Sequence, residues 1–468
     1  MQYSIVNYQS VAEASASTRF DAEFFRPDYL RVQKQLEKIS SHRLVDFGVK
    51  IKHPKEIKRS YVDEGLLFLR AQNVRPLSID LTSNPVYISS EDAEHLRDNV
   101  IHYKDILVTR TGANYGQCAI FLEKGVAIAS SHTLIMKSGT LNPFLTAIFL
   151  NTRYGRQLIN KGMYGGLQPE IAPYFLYQIP MPMWEQMQIE IEETYLRSYH
   201  LTQLSKECYA QAQNLLLSEL RLADWQPKHR LAFVDGFAKA RQAERLDADY
   251  FQPKYDEMVG VIKRCPGSWD TLQNLVTIKK CVEVGSDKYL PRGIPFVRVS
   301  NLSPFEITEE KYISKSLYAE LIKHQPRQGE ILLSKDATPG IAYYLHEPPP
   351  KMIPSGGILR LANNTDEIEN EYLMLVLNST PTTEQVNRDV GGSVILHWRP
   401  DQVKATIIPI LPKDKQAQIR KKIVASFELR KQSRRLLECA KRAVEIAIEQ
   451  DERTAVDWLK NATNRLHD

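Results

Sequence analysis

Long apolar runs are missing from this chain of 468 residues. Its most apolar short stretch, 144–150, falls far below the roughly 20 residues a membrane-spanning helix needs, so no span is expected. The opening Met-Gln-Tyr-Ser-Ile-Val-Asn-Tyr-Gln-Ser has no basic segment leading into an apolar one, so no signal peptide is expected either. Cysteine is scarce. Cys118, Cys208, Cys265, Cys281 and Cys439 are odd in number and never form Cys-x-x-Cys, which fits neither a disulfide framework nor a zinc site. The expectation is a cytoplasmic protein with reduced thiols and no bound metal. A strong charge of either sign is also lacking. Sixty-one Lys and Arg face 56 Asp and Glu, a net +5 that permits a nucleic-acid partner and fits an ordinary surface equally well.

The common catalytic motifs are absent too. No Gly-x-x-x-x-Gly-Lys-Ser/Thr phosphate loop occurs, nor any Gly-Lys dipeptide. There is no Gly-x-Gly-x-x-Gly after a strand, no His-Glu-x-x-His and no Gly-x-Ser-x-Gly elbow. An amino-methyltransferase would carry Asn- or Asp-Pro-Pro before an aromatic, and the one Pro-Pro run is Glu347-Pro-Pro-Pro350. The histidines are scattered, and His132 and His397 read as structural or solvent-facing. Together these absences speak against an enzyme.

What the chain does have is itself, twice. Arg19-Phe-Asp-Ala-Glu-Phe-Phe-Arg-Pro-Asp-Tyr29 returns 226 residues later as Arg245-Leu-Asp-Ala-Asp-Tyr-Phe-Gln-Pro-Lys-Tyr255. Phe68-Leu-Arg-Ala-Gln-Asn-Val74 returns as Phe296-Val-Arg-Val-Ser-Asn-Leu302, and Asp105-Ile-Leu-Val-Thr109 as Glu330-Ile-Leu-Leu-Ser334. Gly165-Gly166 matches Gly391-Gly392, and Ile179-Pro180 with Gln186–Ile189 matches Ile408-Pro409 with Gln416–Ile419. Several matches in one order on nearly one diagonal mark a tandem duplication.

Each copy opens with an aromatic- and proline-bearing motif. Short apolar segments follow (66–69, 106–108, 126–129, then 296–299 and 331–333), punctuated by Gly, Pro, Asn and Asp, with helices expected over 143–159 and 366–378. Then come two stretches without Gly or Pro, 185–220 and 413–450, each about 54 Å long if helical. Ile189, Leu196, Leu204, Leu215 and Leu220 in one, and Ile419, Ile423, Phe427, Leu437 and Val444 in the other, give helix-pair spacing without a strict heptad. The first stretch carries −4, while 413–442 carries +8, and opposite fields favour pairing of the two helices with each other.

Two loops in each copy offer binding chemistry. One follows an apolar strand: Thr109-Arg-Thr-Gly-Ala-Asn-Tyr-Gly116 in the first copy and Ser334-Lys-Asp-Ala-Thr-Pro-Gly340 in the second. The other holds Gly165-Gly-Leu-Gln168, or Gly391-Gly-Ser393 followed by His397, Trp398 and Arg399. Glycine lets backbone approach a ligand, amides and hydroxyls bind phosphate, and Arg or Asn reads base edges in pairs of hydrogen bonds. An ordinary sheet-closing turn would look the same. The basic tract 50–59 likewise suits a solvated face.

This doubled order resembles the specificity (S) subunit of Type I restriction-modification systems. The resemblance covers nearly the whole chain and rests on the two module openings, on Gly293-Ile-Pro-Phe-Val-Arg-Val-Ser-Asn-Leu302, on Asp105-Ile-Leu-Val-Thr-Arg-x-Gly112, and on Ile408-Pro-Ile-Leu-Pro412 running into 416–419. Two departures stand out: Gly48-Val-Lys-Ile-Lys-His-Pro54 replaces a Gly-Gly-Thr-Pro opening, and Lys335-Asp336-Ala337 replaces Arg-x-Gly.

The resemblance implies an α+β fold, with two tandem α/β target recognition domains separated by two long antiparallel, coiled-coil-like helices in pseudo-two-fold arrangement. The corresponding domains are 1–182, helix 183–222, linker and second domain 223–412, helix 413–450 and tail 451–468. It implies that each domain reads half of a bipartite double-stranded DNA sequence. The helices would set the spacing and dock two modification (M) subunits, with restriction (R) subunits joining them. S-adenosylmethionine, ATP and Mg²⁺ would belong to those partners, and this chain would hold no cofactor. The DNA-facing candidates are Arg70, Asn73, Arg110, Thr111, Asn114 and Gln168 in the first copy, and Arg298, Asn301, Lys335, Thr338 and Arg399 in the second. For Arg70 and Arg298 a structural ion pair competes with that role. Two other classes remain open: part of a single-polypeptide or Type II-like restriction-methylation enzyme, and a duplicated scaffold with no DNA role.

Overall fold

The computed structural model describes residues 4–14, 19–56, 58, 60–81, 85–112, 114–166, 168–391 and 396–466. The chain forms two units, Met1–Thr202 with Lys431–Asp468, and Gln203–Arg430.

In the first unit a four-stranded antiparallel sheet runs in the order Lys50–Lys52, Thr133–Lys137, Ile106–Thr109, Cys118–Ile120. Its inner strands are buried on both faces over Ile106–Thr109 and residues 133–136, which is why they read as largely apolar runs rather than alternation. A second sheet contains Leu66–Leu69 parallel to Ala127–Ala129. The second unit repeats this plan. Its four-stranded sheet runs Val276–Lys280, Ile358–Asn363, Ile331–Ser334, Ala342–Tyr344, and beside it Ile294–Val297 lies parallel to Ile353–Pro354.

The helix expected over 143–159 is two helices, Pro143–Asn151 and Arg153–Lys161. Thr152 interrupts them: its hydroxyl accepts from the Gly155 amide at 3.2 Å and caps the second helix. Gly155 lies so near the preceding turn that a Cβ there would sit 2.3 Å from the Phe149 carbonyl oxygen. In the second unit the helix expected over 366–378 spans Asn370–Leu377, and Thr380–Asp389 follows it with proline in its first turn.

The two stretches without Gly or Pro are single helices, Glu185–Glu219 and Lys413–Glu449. Each gives one half to each unit. Within the first unit, Ser198 and Ser433 pair hydroxyl to hydroxyl at 2.8 Å, and each hydroxyl also bonds the other's carbonyl. Within the second, Ser205 and Ser426 make the same contact at 2.9 Å. The helices therefore run antiparallel on a seam of buried residues seven apart: Ile191, Ser198, Ser205 and Ala212 on one, Ile419, Ser426, Ser433 and Ala440 on the other. The two sets are identical at an offset of 228.

This is a heptad after all, hidden because serine and alanine occupy its middle. Ile189, counted above as a packing residue, is 64% exposed. Lys415 bridges to Glu219 at 2.6 Å. Across the two helices Lys422 also donates to the Gln211 side chain at 2.8 Å. Other charges turn outward or along their own helix: Glu192 takes Lys104, Glu190 takes Lys460, and Arg442 pairs with Glu445 and Glu449.

Residues 451–466, expected as a tail, contain a helix, Glu452–Asn464, whose Val456 and Leu459 enter the first unit's core. The Glu452 carboxylate accepts from the amides of Gln186 and Met187 at 2.7 and 2.9 Å, capping the first long helix where its own backbone has no partner to offer.

Candidate nucleic-acid interface

In the first unit the strand Ile106–Thr109 delivers Arg110 between two neighbours. The Arg110 amide donates to the His132 carbonyl at 2.8 Å, and the Ile171 amide donates to the Arg110 carbonyl at 3.0 Å. Thr111 forms a β-bridge with Glu170, and the Gly112 amide, at φ +91°, donates to the Pro169 carbonyl at 3.1 Å. The Thr109 hydroxyl closes the turn by accepting from the Gln117 amide at 2.9 Å, and the Gly116 amide returns to the Thr109 carbonyl. Two loops, 109–116 and 163–171, are thereby stitched into one platform.

The second unit makes the same stitches with other residues. The Lys335 amide donates to the Gly357 carbonyl at 2.9 Å, and the Trp398 amide donates to the Lys335 carbonyl at 2.8 Å. Asp336 bridges His397, and the Ala337 amide donates to the Leu396 carbonyl at 2.9 Å. The Ser334 hydroxyl accepts from the Ile341 amide at 2.8 Å, and the Gly340 amide returns to the Ser334 carbonyl. Ala337 stands at φ +59°, in the left-handed region where the first copy has glycine. The replacement of Arg-x-Gly by Lys335-Asp336-Ala337 thus leaves the backbone plan intact and changes only the side chains.

Those side chains differ between platforms. Arg110 is held by Glu170 at 2.7 Å, and Tyr164 donates to the same carboxylate at 3.1 Å. The Thr111 hydroxyl lies 2.8 Å from His132 Nδ1, Asn114 is half-buried in the turn, and Gln168 is exposed. In the second unit Lys335 pairs with Asp336, whose other oxygen lies 2.8 Å from His397 Nδ1. Thr338 and Arg399 are exposed, Arg399 beside Asp401 at 3.2 Å. Glu170, Asp336, His132 and His397 tie the loops, and nothing in their sequence spacing marked them for that task.

Asn73 and Asn301, expected on a DNA-facing surface, are instead 4% and 2% exposed. Each accepts from the backbone amide of the arginine three residues earlier, Arg70 at 2.9 Å and Arg298 at 3.0 Å, and so closes a short helical turn after a strand. Arg298 is engaged by Glu310 at 2.7 Å, the ion pair that competed with a DNA role. The basic tract is partly structural too: Lys52 and Lys55 hold Asp98 at 2.6 and 3.1 Å, and His53 Nε2 lies 3.0 Å from the Ser131 carbonyl. Ile57 and Arg59 of that tract, and Leu167, Gly392 and Ser393 of the Gly-Gly loops, lie outside the described residues.

Behind the first platform, burial dominates the electrostatics. Arg156 lies under the loop, donates to the Tyr115 carbonyl at 3.1 Å and is pushed below its ordinary range by desolvation. Burial pushes the Cys118 thiol up to about 12, so it packs rather than reacts. Among the described residues no group of three or more His, Cys, Asp or Glu could hold a metal ion, and no helix is long and apolar enough to cross a membrane.

No protein-family model matches this chain, and no curated protein matches it. Solved structures do align along it. A Type-I restriction-modification system S subunit from M. genitalium is 12% identical, covering 89% of this chain and 95% of its own, with a TM-score of 0.32. The HsdS subunit from Thermoanaerobacter tengcongensis is 14% identical over 89% and 96%, with a TM-score of 0.26. A chain described under complex assembly and conformational transition of the type I R-M system is 14% identical over 89% and 97%, with a TM-score of 0.27.

Proposed function

We propose that this chain is the non-catalytic DNA sequence-recognition subunit of a Type I restriction-modification complex, each unit reading one half of a bipartite target. The observation that carries the reading is the doubled platform: one backbone hydrogen-bond plan made twice, bearing unlike side chains. A duplicated reader needs a fixed frame and a variable face, because phosphate contacts position a module while side chains at base edges set its sequence.

In this reading Arg110, Thr111, Asn114 and Gln168 face the first half-site, and Lys335, Thr338 and Arg399 the second. Arg110 and Lys335 reach DNA by leaving Glu170 and Asp336 for a phosphate or a guanine edge. Buried Asn73 and Asn301 frame the modules, while Arg70 and Arg298 stay candidates for the two half-sites, Arg298 by leaving Glu310 as Arg110 leaves Glu170. The paired helices dock two modification subunits, restriction subunits join those, and S-adenosylmethionine, ATP and Mg²⁺ act on the partners.

The test is co-expression with a modification subunit, followed by genome-wide mapping of methylated bases. A two-part methylated sequence with a fixed gap is expected. Methylation by this chain alone would make it an enzyme, and the absence of any DNA binding that weakens with salt would leave a scaffold with no DNA role.

A further inference from the structure

The longest match between the copies is their opening motif, and the platform contacts described above leave it without a task. Arg19 grips Asp21 with two parallel hydrogen bonds, Nε to Oδ2 at 2.6 Å and Nη2 to Oδ1 at 2.7 Å. Its remaining nitrogen, Nη1, donates to the carbonyl of Met163 at 2.9 Å, the first residue of the second platform loop. Arg245 repeats the whole arrangement, holding Asp247 at 2.8 and 2.6 Å and the carbonyl of Asp389 at 3.3 Å. In both copies the gripped carbonyl lies 144 residues beyond the arginine. Each guanidinium is also backed by an aromatic ring of its own motif, Phe24 at 4.9 Å and Tyr250 at 4.5 Å. Asp21 and Asp247 are both held below the ordinary carboxylate range, chiefly by these arginine hydrogen bonds.

We infer that Arg19 and Arg245 are positioning residues, latches that fix the entry to the second platform loop against the module opening and so set how each half-site is read. That entry is Met163 in the first copy and Asp389, the last residue of the preceding helix, in the second. The inference rests on the proposed DNA-reading function. Three features support a latch over a direct DNA contact. Three of the five N–H donors of each guanidinium, one on each nitrogen, are spent inside the protein. The Arg19 side chain is only 15% exposed and that of Arg245 27%. The grip is on a backbone carbonyl, which leaves the loop side chain free to differ, as Met163 and Asp389 do. A planar five-donor fork suits holding a carboxylate and a carbonyl together, and a lysine ammonium cannot reproduce it. Asp21 fixes the fork's orientation, as a carboxylate orients a ligand it does not itself touch.

The chain offers its own control. Arg26 makes an equivalent fork with Asp28, at 3.1 and 2.9 Å, and leans on the Tyr29 ring, but both partners lie within its own segment.

The experiment selects binders from a randomised double-stranded DNA library using the full chain and its variants Arg19→Met, Arg245→Met and Arg26→Met. Arg19→Met should cut preference at one half-site about tenfold and leave the other intact, Arg245→Met should do the reverse, and Arg26→Met should change neither. Melting temperature should move no further in the two latch variants than in Arg26→Met. Unchanged preference at both half-sites, or equal loss at both with a fall in melting temperature, would overturn the latch while leaving the DNA-reading function standing. If the parent chain enriches no two-part sequence, the reading itself fails, and the latch falls with it.

Discussion

Asn301 is 2% exposed, and its amide closes the turn after the strand Ile294–Val297. Asn301→Ala should therefore cost about 1–3 kcal/mol in denaturant unfolding, as should Asn73→Ala, because each leaves a buried backbone amide without its acceptor. Ala337 predicts the opposite sign. At φ +59° it carries a strain its glycine counterpart does not, so Ala337→Gly should stabilise the second unit by about 0.5–1 kcal/mol despite the added backbone freedom. A decrease would mean that the alanine methyl packs where the torsion suggests it only strains. Asp389 sets a pH dependence. Burial pushes it up to about 6, against the pull of Arg388 beside it, whereas an unfolded Asp titrates near 3.9. Its ionisation therefore costs stability, a cost absent below about pH 4, growing between 4 and 6, and complete above. Asp389→Asn should be more stable than the parent by about 1–3 kcal/mol at pH 7.5 and no more stable at pH 4, read as the difference between two unfolding curves. The sequence pointed to Arg110, Lys335 and the loops around them, because glycine and hydroxyl residues after an apolar strand leave a trace. It could not separate Asn73 from Asn114, since an amide that closes a turn and one that sits at the turn's edge look alike until burial is known.

At the scale of elements, the two long helices were legible from the absence of Gly and Pro, and both run to within a residue of the ends of those stretches. Their seam was not. A hydrophobic pattern search is blind to Ser198, Ser205, Ser426 and Ser433, which pack by smallness and mutual hydrogen bonding rather than by apolar bulk. Close approach is what they supply, so a larger side chain should act as a wedge. Ser205→Leu should destabilise the chain by about 1–3 kcal/mol, whereas Ser205→Ala, which keeps the volume and loses the hydroxyl, should cost about 1 kcal/mol or less. Equal effects from the two, measured by thermal unfolding, would show that hydrogen bonding and not spacing governs the seam. The break at Thr152 was missed for a similar reason: Tyr154, Leu158 and Ile159 continue a helical spacing across it, while the turn is made by the Thr152 cap and by a glycine small enough to lie against Phe149.

At the scale of the whole molecule, the repeat offset predicts where length can be added. Seven residues inserted after Thr202 and seven after Arg430 would keep both serine pairs in step and lengthen each helix by about 10 Å. If the helices set the gap in a bipartite target, that gap should grow by about three base pairs, and an unchanged gap would remove the ruler role. The same heptad placed in one helix only should break the seam and lower the melting temperature. The duplication was plain in the sequence, but the division of each helix between units was not, because linear order suggests that the first copy ends before the second begins. The closure of the first unit has a further consequence. Its core includes Ala440, Val444 and Leu459, and its first long helix is capped by Glu452. At a ribosomal pace of about 5–20 residues per second, the second unit has all of its residues once position 430 has emerged, while the first is still waiting for its last helix. The module encoded first is the one finished last, and for the seconds between, part of its core lacks the helices that cover it.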